Sequence, residues 1–358
     1  MLDVTTLQPG EEVEYEAVLR TNKHSLLYSS IKYRDFLRKV TGSEACYLVA
    51  RREGQIVGML PAFLKRNPDY GNVLNSLPFF GSNGGATCGA DTRDKEDVKR
   101  LLIEAFHDLA NEENVILSTI ITSPFEDDIA VYENPRYYDY KDHRIGQVTP
   151  LPAGKDDEEI DEALTAAIDS VRRRNIRKAQ KETVTYRHSG DIDDLVFLAE
   201  VHKQNIQAIG GRAKDWSVFQ AIHECFEYDD DYRVYVAEFE GQRIAALLIF
   251  YHNLTVEYFC PATVHEYRNF QPNSLLIYQA MKDTARMGYA HWNWGGTWPS
   301  QDSLYDFKKR WGTKDYPYTY YTKKHRDDSH ILSLEEAEIA NEFPYFYVVP
   351  FSELVKGS

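Results

Sequence analysis

The feature that most restricts what this chain can fold into is an order of elements that occurs twice. Cys46–Arg51 (CYLVAR) reads as a short apolar strand, Glu53-Gly54 as a turn, and Gln55–Leu64 (QIVGMLPAFL) as the returning strand of a hairpin. Val73–Phe80 supplies a third strand. Val98, Leu101, Leu102, Ala105, Phe106 and Leu109 then recur at helical spacing, and Val115–Ile121 is a β-branched run suited to a buried strand. The second half repeats the series: Tyr232–Phe239, a turn at Glu240-Gly241, Arg243–Tyr251, Leu254–Cys260, a helix over Asn273–Met287, and Tyr289–Trp294. A repeat of elements with little residue identity predicts two units of one plan, each mixed α/β with a twisted, partly antiparallel sheet. The boundary is expected in the polar connector near residue 150, giving an N-terminal domain over 1–150 and a C-terminal domain over 151–358. With 358 residues, 43% of them apolar, the chain has material for two cores.

Composition narrows the function. No run approaches the ~18 apolar residues of a membrane span, and the opening MLDVTTLQPGEEVEYEA lacks the basic-then-apolar pattern of a secretory leader. A cytoplasmic protein is expected. The four cysteines, Cys46, Cys88, Cys225 and Cys260, are widely separated and show no metal-site spacing, so reduced thiols and no metal are expected. A net charge of −15 argues against a large nucleic-acid footprint. The charge is unevenly spread. Residues 171–187 (VRRRNIRKAQKETVTYR) and 307–326 (FKKRWGTKDYPYTYYTKKHR) together hold 14 of the 41 basic residues and only 2 of the 56 acidic ones. Two such islands suggest an anion site for phosphates on a small donor or acceptor, or else two solvated helix faces.

From residue 268 to 312 the order becomes specific. Pro272, Ser274, Leu275 and Leu276 open a helix; Gly288 precedes a strand; Gly295-Gly296 forms a bend; Phe307, Lys308, Trp311 and Gly312 close the series. This order resembles the peptidoglycan-bridge aminoacyltransferases, the Fem-type proteins, and their acetyltransferase-like relatives. The helix Ser170–Lys181 (SVRRRNIRKAQK) is similar to the same family's basic segment, and the hairpin with Leu77-Pro78-Phe79-Phe80-Gly81 extends the likeness into the first half. The resemblance covers most of residues 10–325. It implies a tandem, duplicated acyl-CoA N-acyltransferase (GNAT) fold and an enzyme moving an acyl group to an amine. Two features depart from the family pattern. The helical arm of the tRNA-using members is missing, and the coenzyme A signature is replaced by Tyr267–Ser274 (YRNFQPNS). The missing arm and the acidic chain favour acyl-CoA, acetyl-CoA for instance, over aminoacyl-tRNA as donor. The acceptor implied is an amine on a small or cell-envelope precursor such as an amino sugar, nucleotide- or lipid-linked. A tRNA-dependent aminoacyltransferase and a non-catalytic module binding an anionic glycan are the alternatives.

The resemblance also places the candidate site. The donor would lie along the strand ending at Phe259 and Cys260, its phosphates at the helix start formed by Asn273, Ser274 and Leu275, where main-chain amides lack intrahelical partners. Lys308 stands where the family has a lysine at the reaction centre and would stabilise the oxyanion; otherwise it is a solvated lysine. Glu257 is a candidate base, or else a side chain facing solvent or paired with Arg243, and Tyr258 a proton donor or a core ring. Arg174 and Arg177, with Lys178 beside them, share a helix face and would grip acceptor phosphates. Trp298 could wall a sugar or pantetheine groove, and Asn83 could line an acceptor cleft; the bland readings are core packing and a tightly turning loop.

Overall fold

The computed structural model describes residues 2–79, 82–126 and 128–354. It divides into two compact units: one runs to Arg144 and resumes at Pro317, the other is Ile145–Tyr316. Relative to the expected division at 150/151, the last stretch of chain belongs with the first unit. Its strand pairs with Val115–Ile121, a long-range partnership that leaves no local signal in the sequence.

The first unit contains β1 (Leu2–Thr6), α1 (Glu12–Thr21), α2 (Ile31–Thr41), β2 (Glu44–Ala45), β3 (Leu48–Arg52), β4 (Gln55–Leu60), β5 (Phe63–Lys65), β6 (Asn72–Asn75), β7 (Thr87–Cys88), α3 (Lys95–Glu112) and β8 (Val115–Ile121). The long hairpin strand expected over 55–64 is two strands, because Pro61 has no amide to continue a ladder. Strands β1, β3, β4 and β7 form one antiparallel sheet, while β6 pairs with β8 in parallel. Helix α3 buries Val98, Leu102, Ile103 and Phe106 against them. Of the expected strand Val73–Phe80 only β6 forms, and Phe80 and Gly81 lie outside the described residues.

The chain passes to the second unit along β9 (Tyr140–Pro150), then continues through α4 (Asp157–Ala167), α5 (Ser170–Lys181), β10 (Thr185–Ser189), α6 (Ile192–Gln207), α7 (Trp216–Cys225), β11 (Tyr232–Phe239), β12 (Gln242–His252), β13 (Thr255–Thr263), α8 (Pro272–Arg286), β14 (His291–Thr297) and α9 (Asp302–Lys309). It leaves along β15 (Lys314–Lys324), followed by α10 (Ser329–Leu332) and α11 (Glu336–Glu342). In the second unit the strand order is β10-β11-β12-β13-β14-β9. Strand β12 is buried from Ile244 to His252, which is why its sequence is continuously apolar up to Tyr251 rather than alternating. A capping box of Asp156 and Glu159 starts α4, and the Asp169 carboxylate accepts from the Val171 amide to start α5. Helix α8, opened by Pro272 where no amide is needed, buries Leu275, Leu276, Ile277, Ala280 and Met281 in the core of this unit.

Candidate active site

Strands β13 and β14 run parallel for three residue pairs only, Thr255 with His291, Val256 with Trp292, and Glu257 with Asn293. Beyond Glu257 the two strands share no further pair among the described residues, and two bulges accompany their parting. Strand β13 slips against β12 so that Phe259 is the extra residue between Tyr258 and Cys260. Strand β14 slips against β9 between Asn293 and Gly296, with Gly295 at φ +72°. A bulge bends its strand and increases the local twist, so one on each strand opens a gap in the sheet.

Lys308, from the last turn of α9, closes on the β14 bulge. Its ammonium donates to Gly295 O at 3.2 Å, Gly296 O at 3.0 Å and Thr297 Oγ1 at 2.8 Å. The side chain is only 5% exposed, and burial lowers its pKa to about 8. Lys308 is therefore not a solvated lysine. All three of its protons are directed at protein oxygens, which holds the Gly-Gly bend in shape.

Glu257 is buried and accepts from Asn293 Nδ2 at 2.8 Å; Asn293 Oδ1 in turn accepts from the Gly295 amide at 3.0 Å. Its expected partner Arg243 is engaged elsewhere, donating to Asp193 O at 2.9 Å and Asp194 Oδ1 at 3.1 Å. Tyr258 is half-buried with its ring 4.8 Å from that of Trp294, and burial raises its hydroxyl well above the ordinary tyrosine value. The Phe259 ring packs on Phe250 at 5.0 Å, with the Lys214 ammonium 5.2 Å above it.

At the start of α8 lies a cavity of about 290 Å³, bordered by Pro272, Asn273 and Ser274 together with Arg172, Arg268 and Phe307. The amides of Ser274 and Leu275 both reach Gln271 O, so backbone donors are fewer here than a helix start normally offers. Side chains compensate. The Arg172 guanidinium lies 4.3 Å over the Phe307 ring, and its Nε is buried without a hydrogen-bond partner, as is Asn273 Oδ1. Burial, with Arg310 nearby, lowers the Arg172 pKa. Leu275 itself belongs to the core.

Arg174, Arg177 and Lys178 are exposed and border none of these cavities, because α5 packs through Ile176 and Ala179. The residue on that inward face is Arg172, and the spacing 172, 176, 179 was the available sequence signal for it. Basic side chains of the two islands also meet where Arg173, Lys309 and Arg310 border an open depression of about 640 Å³, with Asp169 and Asp306 among them. Trp298 follows β14 and is 36% exposed. Asn83 belongs to the first unit; it donates to Thr122 O at 2.8 Å and borders a separate cavity of about 170 Å³. Gln147, Asn293 and Thr297, all part of the network around Lys308, went unread in the sequence.

Residues 169–309 match the family described as the acetyltransferase (GNAT) domain. The chain carries a GNAT acyltransferase domain. Its fold as a whole is that of Fem-type proteins: the crystal structure of FemX superposes with TM-score 0.70 at 17% identity, over 88% of this chain and 96% of that one. A tandem GNAT protein from the clavulanic acid biosynthesis pathway gives 0.57 at 11% identity, over 91% and 99%. The C-terminal domain of a protein provisionally described as a lysylphosphatidylglycerol synthetase, from Agrobacterium fabrum, gives 0.57 at 12%, over 93% and 98%. No curated protein sequence matches the chain. The tandem α/β architecture is thus the one expected from the repeat, and its GNAT type the one implied by the family resemblance. Among the described residues no cluster of His, Cys, Asp or Glu could hold a metal, the four cysteines are unpaired with one another, and no helix is long and apolar enough to cross a membrane.

Proposed function

We propose that the GNAT domain transfers an acyl group from acyl-coenzyme A to the amine of a small or envelope-precursor acceptor, an amino sugar being the model case. The observation that carries this reading is the gap between β13 and β14, with a buried lysine at its β14 side and unpaired polar atoms at the α8 start. The edge of β13 beyond Glu257 no longer pairs with β14, an arrangement that suits strand-like docking of an extended amide chain such as pantetheine. Arg172 Nε and the exposed Arg268 suit phosphate oxygens, and Asn273 Oδ1 suits an N–H of the donor, so the residues fit the group. The bound thioester supplies the acyl carbon.

The remaining chemistry falls to this chain's side chains. Tyr258, its hydroxyl held protonated by burial, serves as an acid toward the leaving thiolate. Glu257, fixed through Asn293 to the Gly295 amide, is the base for the incoming ammonium. Lys308 holds the bend and places a positive charge in a poorly solvated spot, where its field favours an oxyanion without its leaving its own acceptors.

Calorimetric titration with coenzyme A and acetyl-coenzyme A, followed by a transfer assay on amino sugars with and without ribonuclease, tests the reading. Binding of both and ribonuclease-resistant transfer are expected, with Lys308→Ala about a hundredfold slower. No coenzyme A binding, together with ribonuclease-sensitive aminoacyl transfer, would replace this reading by the tRNA-dependent one.

A further inference from the structure

The network behind Lys308 has a polarity that its end members fix. A main-chain carbonyl can only accept a hydrogen bond. Gln147 of β9, fully buried, lies 3.2 Å through Nε2 from Tyr305 O and 3.3 Å from Thr313 Oγ1. The amide nitrogen must face the Tyr305 carbonyl, so the amide oxygen Oε1 faces Thr297 Oγ1, 3.1 Å away. The Thr297 hydroxyl proton is thereby committed to Gln147, and the Thr297 oxygen turns its lone pairs toward Lys308 Nζ at 2.8 Å. On its other sides Lys308 faces the Gly295 and Gly296 carbonyls, which likewise only accept. Three acceptors around one amine require three protons.

We propose that Gln147 is a positioning residue that keeps Lys308 charged beside the strand gap by locking the Thr297 hydroxyl as an acceptor. A neutral amine in this place would point its lone pair at the lone pairs of Thr297. Relief would require the Thr297 hydroxyl to rotate, and rotation would break its bond to a buried amide oxygen. The arrangement opposes the effect of burial, which lowers the Lys308 pKa to about 8 and is the cause of that shift. Charged groups on the elements packed around it are Glu257 on β13, tied to Asn293; Arg172 on α5, over Phe307; and the exposed Asp306, Lys309 and Arg310 on and after α9. The inference rests on the acyl-transfer reading in one respect: the charge so preserved is the one proposed to favour the oxyanion.

The test is a titration that needs no substrate. In protein labelled with carbon-13 lysine, the Lys308 signal is identified by its loss in Lys308→Met and followed with pH. Gln147→Leu frees the Thr297 hydroxyl to donate to a neutral amine, so the Lys308 midpoint should fall by about one pH unit, about tenfold in proton affinity. Thr297→Val should lower it likewise, and Thr297→Ser should restore the parent value. This pair carries the test if Gln147→Leu fails to fold. A midpoint unchanged in the folded Gln147→Leu and Thr297→Val proteins would overturn the proposal. The alkaline limb of the transfer rate should move down together with the Lys308 midpoint. A midpoint that moves while the limb stays would overturn the link to transfer. Failure of every acyl-coenzyme A donor would sink the donor reading and leave the titration intact.

Discussion

At the scale of single residues, the site shows how helical phase decides which member of a basic cluster serves it. Ser170–Lys181 holds Arg172, Arg173, Arg174, Arg177, Lys178 and Lys181, and nothing in the chemistry of the four arginines separates one from another. Burial of Ile176 and Ala179 turns Arg172 onto Phe307 at the α8 cavity and leaves Arg174, Arg177 and Lys178 in solvent. Arg173 is occupied differently, donating to Thr165 O at 2.9 Å and Ile168 O at 2.8 Å and so capping α4. For a phosphate-bearing donor, Arg172→Ala should weaken coenzyme A binding about tenfold in a calorimetric titration at low salt. Arg172→Lys should recover little, since an ammonium neither stacks nor offers a planar fork. The Arg174→Ala, Arg177→Ala double variant should bind as the parent does. A loss confined to the double variant would move the phosphate site to the outer face of α5.

At the scale of elements, the gap depends on backbone that only glycine tolerates well. Gly295 sits at φ +72° in the β14 bulge with open space around it, so an added Cβ would meet strain alone. Gly312, at φ +75° after α9, would place a Cβ 2.9 Å from Ala167 O and 3.2 Å from the Ala167 Cβ. Both substitutions bear the left-handed penalty of ~1–2 kcal/mol, and Gly312→Ala adds a clash with main chain that cannot rotate away. In urea unfolding, Gly312→Ala should be the more destabilised of the two; equal midpoints would mean that α4 yields where it meets residue 312. The Gly-Gly bend and the Phe-Lys-x-x-Trp-Gly run were legible in the sequence because both are local patterns. What they fold against was not. Gln147 lies in a stretch rich in Pro, Asp, Glu and Tyr that reads as a connector interrupted by a short strand near Arg144–Thr149, and the strand that forms is the longer, 11-residue β9. Its role appears only when β9 lies beside β14, a pairing across about 150 positions that leaves no periodicity behind. Helices α1 and α2 also went unread, their apolar faces being interrupted by charge.

At the scale of the whole molecule, the repeat gave the architecture and each unit also carries a buried neutral imidazole. In the first unit His107 is 6% exposed, stacked on Tyr137 at 5.7 Å, with its pKa lowered to about 3 by burial and then by His325 and Lys323. In the second unit His202 is equally buried, 3.4 Å from Cys260 Sγ, with its pKa lowered to about 4 by burial and by Lys214. The sign follows from linkage. An unfolded histidine takes up its proton near pH 6.5, while the folded one refuses it until well below pH 5, so the unfolded state binds more protons in this window. Stability is therefore lost as pH falls through 6.5 toward about 4, by roughly 2 kcal/mol per histidine between pH 7 and pH 5. Paired carboxylates contribute in the same direction only at lower pH, which separates the two effects. His107→Phe keeps a ring against Tyr137, and the hydrogen bond it removes is a long one, Nδ1 to Ser118 Oγ at 3.5 Å. Urea midpoints measured at pH 7 and pH 5 should differ less in His107→Phe than in the parent, with the pH 5 value raised. A pH response identical to the parent's would mean that His107 is already reached by protons in the folded unit, and that its core opens on acidification before the chain unfolds.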